Sequence, residues 1–229
     1  MIDVHHLLTG PDSSLEFMSI DHTVVLLPGA AETSARVAVR KTALEKVAPV
    51  ITPDIRISDT TPVILEDPAL AVLAAIADAG GQRVVLVGHG WGTMVALQIA
   101  ASHAERVAGL MLSTNARLET IALRSILYGV LGLLPASLVQ QLGGTPADVA
   151  GLLDQVRPVD FKPLADRVPA PALVIVGERD VANRGPSTAL ARSLPLGNLR
   201  VVPRAGPGWQ AQYPHLVAEL LVDFLSSSS

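Results

Sequence analysis

Short apolar runs alternate with helix-like segments along most of the chain, and this alternation restricts the fold more than any other feature. Each run is closed by residues such as Gly, Pro, Asp or Asn, as buried strands commonly are. The predicted strands are Thr23–Leu27, Ala48–Ile51, Val84–Val87, Val107–Leu112, Ala172–Val176 and Leu199–Val202. The predicted helices are Ser34–Val47, Pro68–Ala79, Thr93–His103, Thr188–Leu194 and Pro214–Leu225. Because such uniformly apolar strands are buried on both faces, the pattern predicts an α/β fold. It has a mainly parallel sheet with helices on both faces, and ligands bind at the carboxyl edge of the strands.

The segment after Val84–Val87 reads Gly-His-Gly-Trp-Gly at positions 88–92. It has the spacing of the G-x-S-x-G nucleophile elbow, a sharp strand-to-helix turn that holds a serine hydroxyl above the sheet. Gly90 stands where the serine is expected. Glycine adopts the strained backbone of such a turn without cost but supplies no nucleophile. The chain therefore lacks the atom that would carry covalent catalysis at this position.

Further motifs occur in a definite order along the chain. They are Pro28-Gly29-Ala30, Asp54-Ile55-Arg56, the elbow at 88–92, Val107–Leu112, Leu173–Asp180 and Ala205–Trp209. In this order and spacing the chain resembles the α/β-hydrolase family, roughly from His22 to Leu225. The resemblance implies an α/β-hydrolase-like fold with a short apolar helical lid.

Carried over position by position, the family's Ser, Asp and His triad corresponds to Gly90, Asp180 and Pro207. Only the acid remains. In a triad the acid orients the histidine and the histidine takes the proton from serine, so a lone carboxylate cannot sustain the mechanism. Loss at two positions favours natural divergence over a single engineered substitution.

Backbone N–H groups could still stabilise a reacting oxygen without the triad side chains. The resemblance implies that the N–H groups of Ala30 and Trp91 form the oxyanion hole, which can stabilise an oxyanion or enolate without a serine. Asp180 and His89 are the predicted catalytic residues, as general acid or base. A hydrogen-bonded structural role is the favoured alternative for His89, although it is the best base candidate. His215 is expected to be a capping or surface residue.

The segment Ser125–Ala147 contains no charged residue but is interrupted by Pro135 and Gly143-Gly144. These breaks are unsuited to a membrane-spanning helix, which needs about 20 continuous apolar residues. We therefore expect an apolar lid, with an ordinary buried helix pair as the alternative. The predicted domains are a core of residues 1–115 and 169–229 and a lid insertion of residues 116–168.

An apolar lid predicts a small hydrophobic ligand, here one that carries a carbonyl group. The predicted pocket residues are Leu127, Tyr128, Leu131, Leu134, Leu138 and Trp209. Trp91 and Trp209 flank the two vacated triad positions and either border one pocket or fill the core. Three arginines near the same edge either neutralise Asp180, receive an anionic ligand group or lie on the surface. They are Arg179, Arg184 and Arg204.

Composition excludes several other classes of function. A net charge of -4 without a Lys/Arg run excludes a nucleic-acid partner, and the absence of cysteine excludes disulfides and thiolate chemistry. His5 and His6 would point to opposite faces of a strand, so they cannot share a metal ion and no metal site is predicted. No other cofactor is predicted. The first residues do not resemble a signal peptide, so we expect a cytoplasmic protein without a membrane partner. A homodimer remains an open alternative. A hairpin near the N-terminus and disorder over Ser226–Ser229 are also expected.

Three functions are consistent with these observations. The first is non-covalent catalysis on a hydrophobic carbonyl compound, such as cyclisation, isomerisation, dehydration or decarboxylation. The second is a pseudoenzyme that binds a ligand or a partner. The third is a serine esterase captured as an inactive variant, with a histidine supplied from elsewhere in the chain.

Overall fold

A computed structural model of the chain describes residues 21–29, 32–55, 65–81, 83–113 and 162–227. The predicted N-terminal hairpin and most of the predicted lid lie outside these residues. The whole of the predicted elbow lies within the described residues.

The described ranges contain six strands, which are β1 (Thr23–Leu27), β2 (Val50–Ile51), β3 (Val84–His89), β4 (Val107–Ser113), β5 (Ala172–Gly177) and β6 (Gly197–Val202). They form one parallel sheet in the order β2-β1-β3-β4-β5-β6. Each predicted strand is present, with ends that differ by at most two residues. The central strands β1, β3 and β4 bring the ends that follow Leu27, His89 and Ser113 to the same edge.

Helices connect the strands, as parallel pairing requires. They are α1 (Ser34–Leu44), α2 (Glu66–Asp78), α3 (Trp91–Ser102), α4 (Lys162–Ala165), α5 (Val181–Ser193), α6 (Trp209–Gln212) and α7 (Pro214–Ser227), with a 3₁₀ turn at Ala104–Arg106. Helix α4 contacts α3 and α5, and Ala165 is fully buried. This end of the predicted lid insertion therefore packs on the core.

The sheet separates two apolar cores, because successive side chains of a strand point to opposite faces. The α3-side core includes Val25, Leu27, Leu86, Val95, Ile99, Leu110 and Val174. The α7-side core includes Val24, Leu26, Val85, Leu44, Leu216, Leu221 and Phe224. Burial on both faces explains why the strands are apolar without alternation, and it confirms the predicted parallel sheet with helices on both faces.

Three predicted boundaries were wrong. Helix α1 ends at Leu44 rather than at Val47. Helix α5 begins at Val181 rather than Thr188, because Asp180 caps it and Pro186 is accommodated inside the helix. The C-terminal tail is helical through Ser227 rather than disordered from Ser226. The Ser227 hydroxyl donates to the Phe224 carbonyl at 2.8 Å, which continues the hydrogen bonding of α7.

Candidate functional site

Gly90 alone forms the turn between β3 and α3. Its backbone angles are φ 51° and ψ -112°, and it caps the N-terminus of α3. A positive φ of this kind costs other residues roughly 1–3 kcal/mol. The predicted sharp strand-to-helix turn is therefore confirmed, with Gly90 at its apex.

Hydrogen bonds join the elbow to both neighbouring strands. The N–H of Gly90 donates to the Ser113 carbonyl at 3.0 Å, and the N–H of Gly92 donates to the Pro28 carbonyl at 3.1 Å. The Trp91 N–H has no acceptor in the described part of the chain. This agrees with its position in the first turn of α3, where N–H groups have no intrahelical acceptor.

His89 lies between the ends of the two strands that flank β3. Its Nδ1 is 2.8 Å from the Ser113 hydroxyl. A Cβ added at Gly29 would stand 3.1 Å from His89 Cδ2, so the other edge of the ring meets the segment that follows β1. The hydrogen bond expected of His89 is present, while Nε2 has no partner among the described residues.

The surroundings of His89 favour its neutral form. Burial is the largest cause and lowers the pKa of the imidazole below its ordinary value. The Glu32 carboxylate opposes this shift, Arg40 and Arg36 reinforce it, and Asp180 opposes it. In the tautomer in which the Nδ1–H donates to the Ser113 hydroxyl, the neutral ring can accept a proton at Nε2.

A buried ion pair holds the segment that follows β1. The Glu32 carboxylate accepts from the Gly29 N–H at 3.1 Å and from Arg40 Nη2 at 2.5 Å, and the Arg40 and Glu32 side chains are 3% and 9% exposed. Arg40 Nε is buried and has no hydrogen-bond partner among the residues that the structure describes. Burial lowers the pKa of this guanidinium, while Glu32 opposes the shift. Sequence reasoning missed this pair, because its eight-residue separation matches no helical or motif spacing.

Asp180, which was predicted to be a catalytic residue, is hydrogen-bonded within the first turn of its own helix. Its two carboxylate oxygens accept from Asn183 Nδ2 at 3.0 and 2.9 Å, and Oδ1 also accepts from the Asn183 N–H at 3.4 Å. Only 8% of the residue is exposed. The observed interactions of Asp180 are those of an N-cap, which satisfies a buried carboxylate.

The two tryptophans pack on opposite faces of the sheet. Trp91 lies in the α3-side core, where its Nε1 donates to the Ile55 carbonyl at 2.7 Å. Trp209, which follows the turn at Pro207-Gly208, lies in the α7-side core and is 2% exposed. Core filling accounts for both indoles, and this placement does not support a pocket that both of them border.

Several predicted site residues lie outside the described residues. They are Ala30, Leu127, Tyr128, Leu131, Leu134 and Leu138. The three arginines predicted near the edge (Arg179, Arg184 and Arg204) are exposed. His215 lies near the start of α7, and its ring meets that of Tyr213 edge-on with 6.4 Å between centroids. Ser113, Glu32, Arg36 and Arg40 are the residues around His89 that the motifs did not identify.

The described residues contain no group of three or more His, Asp or Glu side chains arranged to hold a metal ion. None of the helices in the described ranges is both long and apolar enough to cross a membrane.

Comparison with known proteins agrees with this fold. The model of the Alpha/beta hydrolase family matches residues 24–220, so the chain belongs to the α/β-hydrolase family. Similar solved structures include a thermophilic esterase from Thermogutta terrifontis (22% identity, TM-score 0.69, 92% of each chain covered). An enol-lactonase from Burkholderia xenovorans LB400 is also similar (20% identity, TM-score 0.68, 91% of this chain and 94% of that chain). MenH from S. aureus is a third (15% identity, TM-score 0.70, 93% and 96%). A comparison with curated protein sequences finds no match.

Gly90→Ser is expected to leave esterase activity at background. The new hydroxyl would have no histidine at position 207 to take its proton, and a non-glycine residue at φ 51° is strained by roughly 1–3 kcal/mol. Turnover of activated short-chain esters, labelling by a fluorophosphonate probe and the melting temperature are the measurements. Gly90→Ser combined with Pro207→His is expected to restore at most a trace. Strong activity of the single variant, or a clear rise in its melting temperature, would contradict the prediction.

Acid should destabilise the protein partly through His89. The unfolded chain binds a proton at this histidine near its ordinary pKa of about 6.5, whereas the folded protein resists protonation because the pKa is lowered. Stability is therefore full above pH ~6.5 and falls as the pH drops toward the folded-state pKa. Urea unfolding of the wild type and of His89→Gln between pH 7.5 and 5 measures this. The wild type should lose more stability over this interval than His89→Gln. Equal losses in the two proteins would contradict the inference that the folded state resists protonation of His89.

Proposed function

We propose that the protein catalyses a non-covalent, non-hydrolytic reaction of a small hydrophobic carbonyl compound. His89 removes a proton from the carbon next to the carbonyl, and the Trp91 N–H donates to the oxygen as it becomes an enolate. The observation that carries this proposal is the position of His89. Its Nδ1 is 2.8 Å from the Ser113 hydroxyl oxygen, directly before the turn at Gly90, and its Nε2 has no partner among the described residues.

The electrostatics support this division of roles. A neutral imidazole accepts a proton near neutral pH, and the lowered pKa of His89 keeps it neutral there. The N-terminus of α3 carries partial positive charge, which stabilises a developing oxyanion next to Trp91. In our proposal Ala30 supplies the second N–H donor, as the family resemblance implies.

The proposed first step is a proton transfer from the ligand carbon to His89. The C–H electron pair becomes the enolate, the proton moves to His89 Nε2, and the negative charge on oxygen meets the Trp91 N–H. Return of the proton to another carbon isomerises the compound, while loss of a β-hydroxyl with that proton dehydrates it. Cyclisation or decarboxylation would use the same oxyanion stabilisation.

Asp180 has a subordinate part in this proposal. Its carboxylate is bound by Asn183, but its charge acts on His89 and opposes the lowering of the histidine pKa. It therefore adjusts the basicity of His89 from a distance. A pseudoenzyme that binds a ligand or a partner is the second candidate, favoured by the use of this retained acid as a helix cap.

Hydrogen exchange in D₂O tests the proposal directly. Hydrophobic ketones and 1,3-diketones are incubated with the protein, and deuterium incorporation next to the carbonyl is followed by NMR. We expect exchange above buffer, lowered by about 10²–10⁴-fold in His89→Gln and by a smaller factor in Asp180→Asn. His103→Gln, at the opposite end of α3, is the matched control and should exchange like the wild type.

Other outcomes separate the alternatives. Saturable ligand binding without exchange would favour the pseudoenzyme. Exchange that survives in His89→Gln would remove His89 from the mechanism. A burst of covalent intermediate with ester substrates would instead support the third hypothesis, an esterase captured as a variant.

A further inference from the structure

Helix α1 brings two arginines to the site, and the proposed function uses neither. Arg36 and Arg40 are four residues apart and therefore share one face of the helix. Arg40 is buried and paired with Glu32, whereas Arg36 is exposed and forms no ion pair with another described residue. Arg36 is thus a free cation within that part of the chain.

The guanidinium of Arg36 lies against the turn that replaces the family's histidine. A Cβ added at Gly208 would stand 3.8 Å from Arg36 Nη1, and Gly208 directly follows Pro207. Gly208 has φ 73°, a backbone conformation that favours glycine, where the turn meets Arg36. Arg36 therefore reaches the edge of the sheet where Pro207 leaves no functional side chain.

The two carboxylates near His89, those of Glu32 and Asp180, already accept hydrogen bonds from other groups. Glu32 accepts from the Gly29 N–H and from Arg40, and Asp180 accepts from Asn183. Neither therefore forms an ion pair with Arg36 in the described part of the chain. Arg40, the second arginine, has its charge paired with Glu32, so among the described residues Arg36 is the α1 arginine whose charge is left for a ligand.

We infer that Arg36 binds a carboxylate of the ligand, so the substrate class is a hydrophobic oxo acid rather than a neutral carbonyl compound. A guanidinium offers two parallel N–H donors that match the two oxygens of a carboxylate. The carboxylate would lie at the vacated histidine turn, while the oxo group meets the Trp91 N–H next to His89. The assignment of the oxo group rests on the proposed function, but carboxylate binding by Arg36 does not require turnover.

Matched ligands test the inference by binding alone. The probes are 2-oxooctanoate and its methyl ester, which share the chain and the oxo group but differ in charge, and the measurement is calorimetric titration at low salt. We expect the acid to bind the wild type about tenfold or more tightly than the ester, with a preference that weakens as salt is added. Arg36→Met should abolish the preference, and Arg36→Lys should retain part of it because the charge remains.

Arg192→Met is the matched control, since Arg192 is an exposed arginine in the last turn of α5. It should preserve the acid preference. Equal binding of acid and ester by the wild type, failure of the acid to bind, or an unchanged preference in Arg36→Met would overturn the inference. Circular dichroism checks that the exposed substitutions leave the fold intact.

The two proposals fail in different ways. Acid binding that depends on Arg36 without any deuterium exchange would refute the proposed reaction and leave the anion site in place. Exchange that depends on His89 but is equal for acid and ester, and insensitive to Arg36→Met, would support the reaction and refute the anion site.

Discussion

Replacing Glu32 by alanine is expected to lower the free energy of unfolding by about 3–5 kcal/mol. The substitution leaves the Arg40 guanidinium buried without its carboxylate, and it also removes the acceptor of the Gly29 N–H. An uncompensated buried charge costs more than the ion pair contributes, because its desolvation is no longer offset. Urea unfolding monitored by circular dichroism gives the change.

Two controls separate burial of charge from loss of contact. Glu32→Gln combined with Arg40→Met removes both charges and keeps an acceptor for Gly29, so most of the stability should return. Glu45→Ala breaks the exposed Lys41–Glu45 pair and should change stability by at most about 1 kcal/mol. If Glu32→Ala were as mild as Glu45→Ala, the ion pair would not be buried in solution.

Gly92→Ala is expected to destabilise the protein by about 3 kcal/mol or more, or to prevent folding. A Cβ at position 92 would stand 2.0 Å from the Leu27 carbonyl oxygen and 2.4 Å from its carbon. These are backbone atoms of β1, so the clash can be relieved only by moving α3 away from the sheet. The expected fall in melting temperature is roughly 2–4 °C for each kcal/mol.

Gly206→Ala is the matched control for this substitution. No heavy atom lies within 4 Å of a Cβ at position 206, and its φ is not in the left-handed range. Its melting temperature should stay near that of the wild type. An equally small effect of Gly92→Ala would mean that α3 does not approach β1 this closely.

The turn between β3 and α3 does not depend on a serine side chain. It depends on the close approach of Gly92 to Leu27 and on the hydrogen bonds from Gly90 and Gly92 to the neighbouring strands. The same turn can therefore form with or without a nucleophile at position 90. This is why fold membership alone does not identify the reaction.

The amino-acid sequence by itself determined the fold class, the strands and the elbow. Uninterrupted apolar runs such as Val24–Leu27 can be buried only between two layers, and the glycine spacing at 88–92 matches a single kind of strand-to-helix turn. The assignment of Gly90 and Pro207 to the family's serine and histidine positions rests on the resemblance and stays a prediction. Local composition and short-range spacing carry the information on the fold class, the strands and the turn.

Only the tertiary structure decided what surrounds His89. Ser113, Glu32 and Arg36 lie far from it in sequence, and it is the parallel pairing of β1, β3 and β4 that brings their segments to one edge. The sequence also did not predict that the two tryptophans pack on opposite faces of the sheet, because this depends on the direction of each side chain. Nor did it predict that Asn183 binds Asp180, because this depends on which donor satisfies the carboxylate. Periodicity predicts burial, whereas the choice of partner for a buried charge or hydrogen-bonding group is made by contacts between segments distant in the chain.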